Sequence, residues 1–131
     1  MSRGDPIIVR VMDWRLAVAK LDADAPLPSW TGQATNALFI VRTADELSIV
    51  CDQAAVPEDQ LAERDWRALR LEEPLGFTQV GVIATVADLL ADARVSLFCV
   101  STYETDYFLV RAWDIEHAVD AISHGGHHII N

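Results

Sequence analysis

The residues from Ser101 to Tyr107 are the part of the sequence whose side chains could do chemistry. They read Ser-Thr-Tyr-Glu-Thr-Asp-Tyr and lie between two apolar runs, 95–100 and 108–110. Runs rich in β-branched and aromatic residues on either side of a short polar connection predict a β-hairpin. The connection brings hydroxyls, carboxylates and aromatic rings close together, and these are groups that can bind a small polar ligand.

The surrounding sequence predicts the elements that hold this hairpin. Apolar residues at three- and four-residue spacing predict a long helix over 79–93. A second helix is predicted from the N-cap Asp114 to His124, with Gly125 as its stop. The other predicted elements are one or two strands within 7–21, strands at 38–41, 47–51, 66–71, 95–101, 106–111 and 127–130, and a short helix at 57–64.

The composition limits the classes of protein to consider. The chain has 131 residues, 51% of them hydrophobic, enough for one ordinary domain or two very small ones. Its 20 acidic and 10 basic residues give a formal net charge of −10, which disfavours nucleic acid and anionic membrane surfaces as partners. No long apolar run is present, so we expect a soluble, cytoplasmic protein.

Cysteine, histidine and tryptophan are expected to have structural roles. Cys51 and Cys99 lie inside apolar runs, so we expect both to be small buried side chains. Three histidines cluster near residue 127 without a cysteine or carboxylate cluster, so no metal site is expected. The four tryptophans are expected in the core or at interfaces.

Catalysis needs parts that the sequence does not show. There is no phosphate-binding glycine loop, no nucleophile elbow and no evident acid–base pair. We therefore expect a protein that is not an enzyme and needs no cofactor, and a small hydrolase is the weakest of the hypotheses considered.

An internal repeat divides the chain. If one residue is inserted in the second turn, Glu46 corresponds to Asp106, and each hairpin would then have an acid at the mouth of its second strand. We predict two related modules, 1–64 and 65–131, the first of them abbreviated. The repeated residues are Leu38, Phe39, Val41 and Thr43, which recur 59 positions later as Leu97, Phe98, Val100 and Thr102.

The second module has the predicted order strand, helix, strand, strand, helix, strand, which is the βαββαβ or ferredoxin-like plan. The predicted fold class is α+β, with two such modules, antiparallel sheets and helices on one face. Single modules would leave sheet faces and edges uncovered. We therefore predict that the modules pack together, that two copies form a homodimer, and that a ligand binds at the seam between modules.

The motifs of this chain resemble those of the small tandem ACT-domain proteins, a group that includes the CASTOR-type arginine sensors. The resemblance covers about 14–130 and implies a pair of ACT modules that bind an amino acid or similar effector and pass on the occupancy signal without catalysis. It rests on Glu46-Leu47-Ser48-Ile49-Val50-Cys51, on Trp66-Arg67, on Gly81 and on the run from Ser101 to Val110. The ligand-binding residues that it implies are Ser48, Ile49, Val50, Gly81, Val82, Thr102, Tyr103 and Asp106.

The chemistry of these residues is compatible with a zwitterion. Gly81, near the start of a helix, would let a carboxylate approach the backbone N–H groups. Asp106 could neutralise an ammonium or guanidinium group, and Thr102 could add a hydrogen bond. Other roles stay open: Asp106 could cap the turn, Gly81 could serve packing, and Tyr103 could be an exposed turn residue.

Two function classes follow from the sequence. The main hypothesis is a non-catalytic, amino-acid-binding regulator that favours one arrangement of its modules when occupied, and that acts on a protein partner. The alternative is a protein–protein interaction module with a vestigial ligand pocket, whose sheet edge binds a partner. The sequence does not identify the amino acid.

Overall fold

The computed structural model describes residues 6–72 and 79–131, and the fold is α+β. Within these residues, neither helix combines the length and apolarity that a bilayer crossing requires. The strands are β1 (Ile8–Val11), β2 (Leu16–Leu21), β3 (Leu38–Arg42), β4 (Leu47–Asp52), β5 (Ala62–Leu71), β6 (Leu97–Ser101), β7 (Asp106–Arg111) and β8 (His128–Ile130); the helices are α1 (Gln79–Asp92) and α2 (Ile115–His124), with 3-10 turns at Ser29–Gln33, Gln53–Ala55 and Ala112–Asp114.

The chain divides into two compact units. We call Trp14–Trp66 the inserted unit, and Met1–Asp13 together with Arg67–Asn131 the split unit. The first strand therefore groups with the second half of the chain. The internal repeat predicted modules at 1–64 and 65–131, and these bounds of the repeat stay predictions.

In the split unit, β7 pairs with β6 and β5, β5 pairs with β1, and β1 pairs with β8. The predicted order of strands and helices after residue 61 is present. The expectation of purely antiparallel sheets is wrong at one pair, because β1 and β8 run parallel. Both helices pack against one face of the sheet, in a core made by Val9, Leu69, Leu71, Val82, Val86, Leu90, Phe108, Val110, Ala118 and Ile122.

In the inserted unit, the strands follow the order β3-β4-β2-β5 and all pairs are antiparallel. Residues 14–66 contain no α-helix, so this unit lacks the helices that the βαββαβ plan would give it. Its core is formed by small and medium side chains from the strands and the turn after β4, namely Ala17, Ala19, Leu47, Ile49, Cys51, Ala55 and Val56.

The predicted helix over 57–64 is wrong. The Gln60 N–H donates to the Pro57 carbonyl at 3.1 Å, which closes a turn, and β5 begins at Ala62. Pairing of Ala62 with Ala19 in β2 satisfies the backbone of this segment across the sheet. Local helix preference is a weak bias that such non-local pairing overrides.

One expected structural role needs correction: Cys51 is buried as predicted, but Cys99 is exposed. Trp66 is buried, whereas Trp113 is 70% exposed, so for Trp113 the expectation of an interface stays a prediction. Asp114 takes the N-cap position of α2 without a side-chain hydrogen bond, while Gly125 ends the helix as expected.

Candidate functional site

The predicted β6–β7 hairpin is present, and its turn is held by Thr102. The strands pair from Leu97 opposite Val110 to Ser101 opposite Asp106, which leaves a turn of four residues. The Thr102 N–H donates to the Thr105 carbonyl at 2.8 Å, and the Thr102 hydroxyl accepts the Thr105 N–H at 3.2 Å. The turn is therefore capped by a threonine and not by an aspartate.

The β3–β4 hairpin has the same construction. Its turn also has four residues, from Thr43 to Glu46, and the Thr43 N–H donates to the Glu46 carbonyl at 2.9 Å. The Thr43 hydroxyl accepts the Asp45 N–H at 3.1 Å. The expected insertion of one residue in the second turn is thus wrong, and Asp106 corresponds to Leu47 instead of Glu46.

This register places the Asp106 carboxylate at a core position. Asp106 is 1% exposed, and its equivalent Leu47 is fully buried. Since side chains alternate along a strand, Asp106 shares the sheet face of Phe108 and Val110, which pack against the helices. Its Oδ1 accepts the Ser101 hydroxyl at 2.6 Å.

No cationic side chain pairs with Asp106 within residues 6–72 and 79–131. A buried carboxylate is costly unless a cation and further hydrogen bonds compensate it. The single hydroxyl of Ser101 offers partial compensation. The position is therefore suited to accept a positively charged group from a ligand.

A groove of about 690 Å³ lies beside the same turn within the split unit. Its volume is in the range of sites that hold small metabolites. The groove is lined mainly by hydroxyl, phenol and charged side chains: Arg70, Glu72, Thr102, Tyr103, Glu104, Thr105 and Tyr107, together with Leu71.

Two charged residues of the groove, Arg70 and Glu72, belong to an ion-pair cluster. The Arg70 Nε donates to Glu72 Oε2 at 2.7 Å, and the Arg10 guanidinium lies 3.5 Å from the other oxygen of Glu72. Burial alone would raise the pKa of Glu72, but the hydrogen bond and charge of Arg70, with Arg10, outweigh it and lower that pKa. The Glu72 hydrogen bond raises the pKa of Arg70, with a smaller contribution from Tyr107. Both groups therefore stay charged near neutral pH.

The predicted ligand residues of the split unit fall into three environments. Thr102 and Tyr103 line the groove, and Tyr103 is fully exposed. Asp106 lies on the helix-facing side of the sheet. Gly81 lies in the first turn of α1, where its carbonyl accepts the Thr85 hydroxyl at 2.7 Å, and Val82 is buried in the core.

The predicted ligand residues of the inserted unit all lie in β4. Ile49 is fully buried in that unit's core and Val50 is 6% exposed. Ser48 is half-buried, opposite Lys20 of β2 and Val41 of β3. Of the three, Ser48 therefore presents the most accessible side chain.

Arg70, Glu72 and Tyr107 were not among the predicted site residues. One pattern in the sequence indicates two of them, because Arg70 and Glu72 alternate with Leu69 and Leu71 at the end of β5. Such alternation places the charged pair on the face opposite the core. A charge cluster across adjacent strands is a non-local feature, so Arg10 could not have been assigned to it.

Comparisons with protein-family models show which families the two halves of the chain resemble. Residues 61–124 match the ACT domain family, and residues 15–59 match a separate family described as an N-terminal domain. The second half of the chain, residues 61–124, is therefore similar to ACT domains.

Curated proteins named as arginine sensors are similar to part of this chain. "Cytosolic arginine sensor for mTORC1 subunit 1" from Rattus norvegicus is 34% identical over 84 residues, which are 58% of this chain and 25% of that protein. The human protein of the same name is 38% identical over 72 residues, 49% of this chain and 22% of that protein. The chain thus spans about a quarter of the length of these curated relatives.

Solved structures support the fold over nearly the whole chain. A protein from Agrobacterium tumefaciens is 29% identical, with a TM-score of 0.89 over 97% of this chain and 94% of that one. The regulatory subunit of aspartate kinase from Thermus thermophilus has a TM-score of 0.63 at 11% identity, over 89% of this chain and 96% of that one. Because the identity to the aspartate kinase subunit is only 11%, that similarity shows a shared fold and nothing about function.

Proposed function

We propose that this protein is a non-catalytic, cytoplasmic regulator that binds an amino acid. One observation carries the proposal: the ACT domain holds a buried carboxylate, Asp106, that has no cationic partner within the described residues. A ligand that brings an ammonium or guanidinium group to Asp106 would supply the missing charge. Occupancy would then favour the ligand-bound conformation.

The ligand class follows from the charges. A cationic group at Asp106 and a carboxylate directed to the first turn of α1 near Gly81 and Val82 describe a zwitterion, with Thr102 and Tyr103 closing over it. Because the curated relatives are named as arginine sensors, L-arginine is the first ligand to test.

The finer parts of the sequence prediction belong to the same proposal. They are two ferredoxin-like ACT modules in tandem, a ligand at their seam with contacts from Ser48, Ile49 and Val50, a homodimer, and a regulated protein partner. Substitution of Ser48 by alanine tests the contribution of β4, since it removes a half-buried hydroxyl and little packing.

Thermal unfolding with a panel of amino acids tests the proposal. A ligand that binds only the native state at a concentration of about 100 times its Kd stabilises it by about 2.7 kcal/mol, so L-arginine or another cationic amino acid should raise the melting temperature. Asp106→Asn should remove the shift, while Asp120→Asn, at an exposed acid of α2 that does not line the groove, should keep it.

Two results would count against the proposal. One is a panel in which no amino acid raises the melting temperature at millimolar concentration, and the other is an undiminished shift in Asp106→Asn. The first result would favour the alternative, an interaction module with a vestigial pocket, which the exposed apolar strand β3 supports.

A further inference from the structure

A small cavity lies within the split unit, between α1 and the turn that follows α2. Its volume is about 190 Å³, and it is lined by Thr85, Asp88, Leu89, Gly125 and His127. A cavity of roughly 150 Å³ is large enough to hold benzene. This cavity can therefore hold a small organic ligand, and it shares no lining residue with the groove beside the β6–β7 turn.

The two glycines after α2 serve different purposes. Gly126 has a φ of +91°, which side chains disfavour. Gly125 has a φ of −75°, which any residue adopts. A Cβ atom at position 125 would, however, lie 2.8 Å from both methyl carbons of Leu89. A side chain at this position would therefore have to displace Leu89, a residue of the cavity wall.

The imidazole of His127 lines the cavity with one N–H group unused. Its Nδ1 accepts the Ile7 N–H at 3.0 Å. Burial lowers the pKa of His127, with a further contribution from the charge of His128, so the ring is neutral at neutral pH. A neutral imidazole whose Nδ1 accepts a hydrogen bond carries its proton on Nε2. Within residues 6–72 and 79–131 that Nε2–H has no hydrogen-bond partner.

Asp88 adds a negative charge to the cavity. Its side chain is exposed, and it has neither a hydrogen bond nor an ion pair in the part of the chain that the structure describes. Thr85, one turn earlier in α1, is 6% exposed and donates its hydroxyl to the Gly81 carbonyl at 2.7 Å. The cavity thus combines a neutral donor at His127 and an anionic acceptor at Asp88 with an apolar wall.

A metal ion does not fit this set of groups. The nitrogen of His127 that would coordinate it, Nε2, carries the proton while Nδ1 accepts the Ile7 N–H. Among the described residues, no group of three or more His, Cys, Asp or Glu side chains is placed to hold a metal ion. Asp88 and the net charge of −10 also disfavour an anion. The groups instead match a cation that carries an oxygen acceptor.

We propose that this cavity binds a small aliphatic amine that also carries an oxygen acceptor, with an amino alcohol as the simplest case. The ammonium group would pair with Asp88, and the oxygen would accept the His127 Nε2–H. The alkyl chain would lie against Leu89. The bound ligand would hold His127 in the tautomer that accepts the Ile7 N–H. This site goes beyond the proposed amino-acid site and is separate from Asp106.

NMR titration of the full chain with propanolamine tests the proposal, with the imidazole signals of His127 as the readout. We expect saturable shifts with a dissociation constant on the order of 1 mM, as fits so small a ligand. Two compounds of equal size each lack one group, because butylamine has no oxygen and butanol has no charge. Each should bind at least about fivefold more weakly, since each loses one hydrogen bond.

Variants of the lining residues test the roles of the charge and of the space. Asp88→Asn should weaken propanolamine binding by about tenfold and leave butanol binding unchanged. Asp92→Asn, at an exposed acid one turn further along α1 and outside the cavity, is the matched control and should bind as wild type. Gly125→Ala should weaken all three compounds. Because Asp88 is exposed and makes no contact that the fold needs, Asp88→Asn keeps the test decisive if Gly125→Ala does not fold.

The proposal is wrong if propanolamine at about 20 mM, well above the expected dissociation constant, leaves the His127 signals unchanged. It is also wrong if butylamine or butanol binds as tightly, or if Asp88→Asn and Asp92→Asn bind propanolamine equally. Asp106→Asn should bind propanolamine as wild type does, which separates this site from the amino-acid site. A chain that binds propanolamine and no amino acid would reject the proposed function and retain the cavity site.

Discussion

Leu47 and Asp106 occupy the same position in two hairpins of equal turn length and register. Both are buried, yet one is a core hydrophobe and the other a carboxylate. The first hairpin shows that the position can be filled by an apolar side chain without change of turn geometry. The carboxylate in the second hairpin is therefore unnecessary for the hairpin itself, which is the pattern expected of a binding residue.

Asp106→Leu should make the ligand-free protein more stable and insensitive to ligand. Replacing a buried charge by an apolar side chain removes its desolvation cost, for which we expect a gain of about 1–3 kcal/mol in the free energy of unfolding. Urea denaturation measures the gain, and titration with L-arginine measures the loss of binding. Loss of stability in Asp106→Leu, with binding retained, would show that Asp106 serves the fold.

Asp52 should contribute to stability through the loop that it holds. Its Oδ1 accepts the N–H groups of Thr35 at 3.1 Å, Asn36 at 2.8 Å and Ala37 at 3.1 Å, and Asp52 is 8% exposed. Asp52→Ala leaves these donors without their acceptor and should cost about 1–3 kcal/mol at pH 7. Asp45→Asn, at an exposed turn residue, should change little.

The contribution of Asp52 should depend on pH. Burial alone would raise its pKa, but the hydrogen bonds from Asn36, Ala37 and Thr35 outweigh burial and lower the pKa below its ordinary 3.8. The stabilisation is therefore present above pH 3.8 and is lost as pH falls through the lower, folded-state value. Urea denaturation at pH 7 and pH 3 should show the difference between wild type and Asp52→Asn shrinking in acid; a constant difference would contradict this.

The two thiols should differ in reactivity. Burial, with the charge of Asp52, raises the pKa of Cys51 to about 11. Burial also raises the pKa of Cys99, but the Cys99 side chain is exposed and Cys51 is buried, so a reagent can reach only Cys99 in the native chain. Because the thiolate is the reactive form, we expect one thiol per native chain to react with a disulfide reagent at pH 8, and the second only after unfolding. Cys99→Ser should abolish native labelling. Rapid labelling of that variant would show that Cys51 is accessible.

Residue spacing within single segments correctly predicted the β6–β7 hairpin and α1. The alternation in β6 and β7 and the helical spacing of α1 were sufficient to place them, within a residue or two at each end. The helix expected at 57–64 failed because Pro57, Glu58 and Asp59 favour a helix start, while the pairing of β5 with β2 decides the outcome. The parallel β1–β8 pair joins the two ends of the chain, and no local pattern specifies such a pair.

The candidate site was predictable in its residue types and not in its geometry. The hydroxyls and acids of the second hairpin were evident from the sequence. The orientation of Asp106 depends on the turn length, since a shift of one residue exchanges the two faces of a strand. The assumed insertion paired Asp106 with Glu46, and so missed its burial and its equivalence to Leu47.

The stability of the split unit should fall in mild acid because of one histidine. The buried Ile7 N–H donates to His127 Nδ1 at 3.0 Å, and the His128 N–H donates to the Ile7 carbonyl at 3.0 Å. Protonation of His127 at Nδ1 would replace this acceptor by a donor facing the Ile7 N–H. Burial lowers the pKa of His127 below its ordinary 6.5, with a further contribution from the charge of His128.

The sign of the effect follows from this lowered pKa. Between the folded-state pKa and 6.5 the unfolded chain binds more protons, so stability is present above pH 6.5 and declines as pH falls through that window. His127→Asn keeps an acceptor near the Nδ1 position and removes the titration, so its urea midpoint should change less than that of wild type between pH 7.5 and 5.5. His124→Asn, at the exposed end of α2, is the control and should retain the wild-type decline. Equal declines in wild type and His127→Asn would show that the acid sensitivity arises elsewhere in the chain.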